Sequence, residues 1–151
     1  MLLQTEVSHL FSTQQEEWDQ LRTAIRQLDV AKVKTLTWSD QLSVSVQFNP
    51  NRERSAIAKV DGESLKHDSC FLCESNRPAQ QKGIPFLGKY LLLCNPCPIL
   101  KNHLSIPLYT HVPQRMGKKI ADMLTLAEQL PDYVVFYNGP KSGASAPHHF
   151  H

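Results

Sequence analysis

The last fourteen residues of the chain carry the densest group of side chains that could do chemistry. This stretch reads "NGPKSGASAPHHFH" and combines two glycines and two serines with three histidines. Glycine lets main-chain amides approach a ligand closely, and short hydroxyls can donate further hydrogen bonds to an anion. Such a loop is more often a plain turn, so its composition alone is weak evidence. The candidate anion-binding residues are Asn138, Gly139, Lys141, Ser142, Gly143 and Ser145.

The histidines at the end of this stretch alternate around Phe150. In an extended strand, the imidazoles of His149 and His151 would project from one face and that of His148 from the other. A pair of this kind can divide the roles of metal ligand and nucleophile. A solvated, tag-like tail is the alternative interpretation of the same residues.

Two cysteine pairs share the spacing Cys-x-x-Cys. Cys70 and Cys73, in "CFLC", have the separation that lets two thiolates bind one tetrahedral zinc, and a purely structural role is equally open. A zinc site would need two more ligands, for which His111 and the terminal histidines are candidates. In "CNPC", Cys94 ends an apolar strand pattern and Cys97 lies between two prolines, so we predict that both are small buried apolar residues.

The composition limits the classes of protein and partner. The chain has 151 residues, of which 41% are hydrophobic and 20% charged, with a formal charge of +2. This length fits one domain with its own core, and the charge balance does not indicate a nucleic-acid partner. The N-terminus lacks the basic start and apolar run of a signal peptide, and no stretch approaches the ~20 apolar residues of a membrane span. We therefore expect a cytoplasmic protein whose cysteines are thiols or metal ligands.

The apolar pattern predicts that the chain begins with a helix. Ser8 can cap this helix. Apolar residues then recur at helical spacing, which predicts a single buried stripe that packs on a sheet. The residues of this stripe are Phe11, Trp18, Leu21, Ile25 and Leu28.

Strand patterns and a second helix complete the predicted elements. Alternation and β-branched residues mark the strands, which are "TLTW", "LSVSVQF", "AIAKV", "YLLLCNP", "HLSIPL" and "YVVFYN". "SDQ" forms a turn between the first two, and the polar stretch 61–82 is a predicted loop. The second helix lies in "PQRMGKKIADMLTLAEQL" and ends at Pro131. Its predicted buried face consists of Met116, Ile120, Met123, Ala127 and Leu130. The fold class is therefore α+β, in one domain over 1–151, with a helical region at 1–33 and the sheet, second helix and histidine motif at 34–151.

Several motifs, in this order, resemble the histidine-triad superfamily. They are "VQFNPNRERS", "CFLCESNRP", "NPCPILKNHLSIPLYTHVPQ" and "FYNGPKSGASAPHHFH". The nearest branch contains galactose-1-phosphate uridylyltransferase, dinucleoside tetraphosphate phosphorylase and GDP-hexose phosphorylase. More narrowly, the chain is similar to the DUF4922-like family of Bacteroides-type bacteria. The resemblance covers about residues 43–151 and leaves the first helix outside. It implies an antiparallel sheet flanked by helices.

The resemblance also implies residue roles. His151 takes the position of the nucleophile that accepts the nucleotidyl group. His149 would join Cys70, Cys73 and His111 in a structural zinc site. The implied phosphate contacts are Asn138, Ser145 and Arg52. His103 receives no role.

The activity that the resemblance implies is nucleotidyl transfer or phosphorolysis of a nucleotide-sugar or a dinucleoside polyphosphate through a nucleotidyl-histidine. The relatives continue beyond the nucleophile, whereas this sequence ends at His151, and His148 and Ser142 replace residues that are usual there. We therefore expect either the N-terminal part of a longer enzyme or a shortened remnant of one, nearly inactive by itself. The alternative is a catalytically dead, zinc-stabilised module that binds a nucleotide or a protein. A homodimer is compatible with the family and with an exposed sheet edge.

Overall fold

A computed structural model describes residues 2–48, 70–142 and 144–151 of the chain. Within these residues the fold is mixed α+β, with antiparallel sheets of two and three strands, as predicted. The elements are α1 (Leu3–Glu17), α2 (Asp19–Asp29), β1 (Lys32–Ser39), β2 (Leu42–Phe48), β3 (Gly83–Phe86), β4 (Tyr90–Cys94), β5 (Leu104–Ser105) and α3 (Ile120–Gln129). The predicted strand "AIAKV" and the first part of the predicted loop lie outside the described residues.

The predicted first helix is two helices that meet at Trp18. The main chain of Trp18 is extended, at φ −123° and ψ 98°, and its side chain is buried between the two helices and the sheet. The predicted stripe is confirmed because its members are buried or packed against the core. Ser8 as the cap is wrong: α1 begins at Leu3, and the Ser8 hydroxyl donates a hydrogen bond to the carbonyl of Gln4 one turn earlier. A hydroxyl in mid-helix bonds back to the preceding turn in this way.

The first two predicted strands form an antiparallel hairpin. The pairs run from Lys32 opposite Phe48 to Thr37 opposite Ser43, and the register shifts between Thr37 and Ser39 near the turn. The hairpin is therefore confirmed, although every residue of both strands is exposed.

The three-stranded sheet has the order β3-β4-β5 and contacts α1, as predicted for the first helix. β4 supplies the buried side chains of Leu92, Leu93 and Cys94. The sequence gives little sign of β3, since a proline interrupts its four residues. Gly83 is required there because a Cβ would lie 2.7 Å from the Cγ of Leu91.

The C-terminal half departs from prediction at two elements. Leu126 in α3 and Leu130 just after it are buried. Ile120 is 53% exposed and Ala127 is also exposed, so the predicted buried face is wrong at Ile120 and Ala127. "YVVFYN" is assigned to neither helix nor strand. Its side chains nevertheless alternate, because Tyr133, Val135 and Tyr137 pack against the core.

No helix in the described part of the chain combines the length and apolarity that a membrane span needs.

Candidate functional site

Two cysteines and two histidines from distant parts of the chain meet at one point. The ligand atoms of Cys70, Cys73, His111 and His149 all lie within 4.8 Å of one another. The Nδ1 of His149 lies 3.2 Å from the Sγ of Cys70 and 3.7 Å from that of Cys73, and the Nδ1 of His111 lies 3.1 Å from the Sγ of Cys73. Sulfur and nitrogen ligands on one tetrahedral ion would be ~3.6 Å apart. The four residues could therefore hold a metal ion, and the predicted set is confirmed as a spatial cluster.

The orientation of His149 suits a metal ligand. Its side chain is fully buried, and its Nε2–H donates a 2.8 Å hydrogen bond to the carbonyl of Leu108. That bond fixes the tautomer and leaves the lone pair of Nδ1 directed at the thiols. The buried imidazole thus has a polar partner on each side.

The turn that contains Cys70 and Cys73 is stabilised by two hydrogen bonds to one main-chain carbonyl. The amide of Cys73 donates to the carbonyl of Cys70 at 3.1 Å, and the side chain of Asn76 donates to the same carbonyl at 3.0 Å. Cys70, Leu72 and Ala146 form a small buried cluster, against which Cys73 packs. Burial and the neighbouring Cys70 raise the pKa of the Cys73 thiol. A cation at this point would reverse that effect, because a bound metal favours the thiolate.

The terminal histidines do not lie on a strand. Residues 147–149 form a turn, in which the amide of His149 donates to the carbonyl of Ala146 at 3.0 Å. The prediction of an extended strand is therefore wrong, because the fixed φ of Pro147 favours this turn. His148 stacks on His111 with ring centroids 5.3 Å apart, and burial lowers its pKa.

His151 is oriented by the residue two positions earlier. Its Nδ1–H donates a 2.9 Å hydrogen bond to the carbonyl of His149, so Nε2 carries the free lone pair of the neutral ring. Burial lowers the pKa of His151, which favours this neutral form. The main chain of the intervening Phe150 is fixed by hydrogen bonds to Leu108 and Val112 on either side of His111. These hydrogen bonds therefore hold the candidate metal ligand His149 and the candidate nucleophile His151 in a fixed relative orientation.

Gln114 is the last residue of the motif "NPCPILKNHLSIPLYTHVPQ" but received no role from the sequence, and its hydrogen bonds connect several parts of this region. It is fully buried, and its side-chain amide donates to the carbonyls of Asn138 at 2.9 Å and His151 at 3.0 Å. Its side-chain oxygen accepts the amide hydrogen of His151 at 2.8 Å. Its main-chain carbonyl accepts a hydrogen bond from the hydroxyl of Tyr137, and its main-chain amide donates to the carbonyl of Pro147. All its polar groups have partners, as a buried amide requires.

His151 lies where two clefts meet. A large cleft is lined by both apolar and polar side chains, and its polar residues include Asn138, Ser145, His103 and His151. A smaller, mostly apolar pocket beside it is lined by His151 together with aromatic and aliphatic side chains and by Lys119 and Asp122. Two polar groups predicted to contact an anion therefore share a cleft with the predicted nucleophile.

Among the described residues, the structure does not place the other predicted anion-binding side chains in this cleft. Lys141 and Ser142 lie in an exposed turn that does not line the cleft, and the amide of Ser142 donates to the carbonyl of Gly139 at 2.9 Å. Arg52 and Gly143 lie outside the described residues.

The second cysteine pair is divided between core and surface. Cys94 is fully buried, and burial raises its pKa to about 12, so the apolar interpretation is confirmed for this residue. For Cys97 it is wrong, because that thiol is exposed and lines the large cleft. The prolines on either side keep Cys97 from continuing β4 into the core.

Alkylation is expected to separate these two thiols. In the native protein at pH 8, Cys97 should react with iodoacetamide while Cys94 stays protected, since only ~10⁻⁴ of a thiol with its pKa is ionised. Mass spectrometry of the peptides measures both sites, and denaturant should make them equally reactive. Equal labelling in the native protein would contradict the burial of Cys94.

The fold and the site define a mixed α+β protein with a two-cysteine, two-histidine cluster that could hold a metal ion. The family model described as a domain of unknown function, DUF4922, matches residues 10–151, and the chain belongs to this family. The narrower resemblance is thereby confirmed, and the match begins inside α1, which the resemblance left out. Searches of curated proteins and of solved structures each found no match.

Proposed function

We propose that the protein transfers a nucleotidyl group through a covalent intermediate on His151, using a nucleotide-sugar or a dinucleoside polyphosphate as donor. The observation that carries the proposal is the hydrogen bond from Nδ1 of His151 to the carbonyl of His149. It directs the lone pair of Nε2 away from that carbonyl, and the ring lines both clefts. An oriented, neutral imidazole beside a cleft is what nucleophilic catalysis at phosphorus requires.

The proposed reaction has two balanced steps. Nε2 of His151 attacks the α-phosphorus, a P–N bond forms, and the bond to the leaving phosphate oxygen breaks with its electron pair remaining on that oxygen. An oxygen of the acceptor then attacks the same phosphorus, and the P–N bond breaks, which returns the electron pair to Nε2. We assign Asn138 and Ser145 to the phosphate oxygens, because both line the same cleft as His151 and both are polar.

We infer that the metal is zinc and that its role is structural. Two thiolates and two imidazoles are a donor set that tetrahedral zinc favours, and four protein ligands leave no position open for a substrate. When bound, zinc supplies a fixed link between the Cys70 turn and His149. His151 then takes its orientation from the carbonyl of His149, so the metal would hold the nucleophile in place without touching it.

Trapping of the intermediate tests the proposed function. The full-length gene product, incubated with nucleotides that carry a label on the α-phosphate, should form an adduct that acid releases and mild base retains, as expected for a phosphoramidate. His151→Ala should abolish the adduct, while His148→Ala should largely spare it. His9→Ala, on the exposed side of α1, is a second control.

Two results would count against this proposal. An adduct that survives His151→Ala would show that another residue is the nucleophile. Absence of an adduct with every nucleotide tested, combined with saturable nucleotide binding, would favour the catalytically dead binding module.

A further inference from the structure

The β1–β2 hairpin has two chemically different faces. Directly paired residues of antiparallel strands lie on the same face of the ladder. The pairs Thr35–Ser45 and Thr37–Ser43 line one face with hydroxyl groups, and the Thr35 and Ser45 oxygens lie 2.9 Å apart. The other face carries the apolar residues Leu36, Leu42, Val44, Val46 and Phe48, with Lys32 and Lys34 at its open end.

The apolar face is exposed to solvent. Its exposed fractions range from 38% for Leu36 to 61% for Phe48, and Trp38 beside the turn is 69% exposed. A two-stranded hairpin is at best marginally stable in water unless one face is covered. A contiguous apolar surface of this size on a folded protein indicates an interaction site.

The hairpin carries charges of opposite sign at its two ends. Asp40, in the turn, is the one acidic residue between positions 32 and 48, and the basic residues Lys32 and Lys34 lie at the opposite end. Leu36 is midway, four residues from Asp40 and four from Lys32. If two hairpins pack face to face and antiparallel, with a two-fold axis near Leu36, Asp40 of each copy meets Lys32 of the partner subunit. A parallel arrangement would instead place like charges together.

The area of the face also matches a second copy. The apolar side chains, Trp38 and the stems of the lysines expose on the order of 700 Å² per copy, close to the ~800 Å² per partner of a standard interface. We propose that this face is the interface of a homodimer in which two hairpins pack antiparallel about a two-fold axis. The interface is independent of the metal cluster and of the proposed reaction.

Sedimentation equilibrium of the full chain over a range of concentrations tests the dimer. The wild-type chain should sediment at twice its monomer mass. Val44→Glu should raise the dissociation constant by about 100-fold or more, because it buries a charge at the centre of the apolar face, where its cross-strand partner is Leu36. Ser45→Glu, the same change one residue away on the hydroxyl face, should leave the dimer intact. The circular dichroism spectrum of each variant should match that of the wild type.

A charge exchange tests the antiparallel arrangement. Asp40→Lys should weaken the dimer by about tenfold, since it places like charges together at both ends of the interface, and adding Lys32→Asp should restore it. The proposal is overturned by a wild-type chain that stays monomeric or forms species of growing size, or by a dimer that tolerates Val44→Glu. Failure of the exchange to restore association overturns the antiparallel arrangement.

Discussion

Removal of the proposed zinc ion is expected to lower the melting temperature of the protein by at least about 10 °C. The four ligands come from positions 70, 73, 111 and 149, so the ion would join three separate stretches of chain. Because a metal that binds only the folded state adds its binding free energy to stability, several kcal/mol are expected, and each corresponds to about 2 to 4 °C at this chain length. Elemental analysis should find about one zinc per chain, and thermal unfolding with and without a chelator measures the effect.

A matched pair of substitutions separates metal binding from the loss of a thiol. Cys73→Ser removes a ligand and should lower both the zinc content and the melting temperature. Cys97→Ser makes the same chemical change at an exposed cysteine outside the cluster and should alter neither. X-ray absorption should show sulfur near ~2.3 Å and nitrogen near ~2.0 to 2.1 Å from the metal. Equal behaviour of the two variants, or a melting temperature unaffected by the chelator, would contradict a structural metal.

The sequence predicted best the elements whose structure is determined by residues close together in the chain. The hairpin follows from the alternation of "LSVSVQF" with its partner strand, and the stripe of α1 and α2 follows from helical spacing. The break at Trp18 was missed because the apolar period continues through it. The extended main chain of that one residue reorients the second helix without disturbing which residues are buried.

The ligand set was predictable for a different reason. A Cys-x-x-Cys pair is a local indication of a metal site, but it identifies only two of the four ligands. His111 and His149 were assigned through the resemblance, and the structure places their Nδ1 atoms beside the thiols. The turn at Pro147 was not anticipated, because alternation around Phe150 fits a strand equally well.

Gln114 ends one of the quoted motifs, but its neighbours in the sequence do not reveal its role. It follows Val112 and Pro113 and resembles a polar residue at the approach to a helix. Its importance comes from partners 24 and 37 residues away, at Asn138 and His151. Long-range hydrogen bonds of a buried amide leave no periodic pattern, so only the folded structure shows them.

Gln114→Leu is expected to lower the stability of the protein strongly. Leucine fills a similar volume but leaves the amide of His151 and the carbonyls of Asn138 and His151 without their partner. Each unpaired buried group costs about 1 to 3 kcal/mol, so we expect a loss of about 3 kcal/mol or more in the free energy of unfolding. Denaturant titration measures this loss. Gln129→Leu, on the exposed side of α3, is the matched control and should change stability little.

The same substitution should also disturb the proposed nucleophile. With its amide and carbonyl released, the main chain of His151 can rotate, and small displacements of a reacting group can lower its rate by ~100-fold. Adduct formation by Gln114→Leu should therefore fall by about that factor at a temperature where the variant is still folded and retains its zinc. Gln114→Glu should behave similarly, because a carboxylate cannot donate to the two carbonyls that the amide of Gln114 serves. A variant that loses stability but forms the adduct at the wild-type rate would show that Gln114 supports the fold without orienting His151.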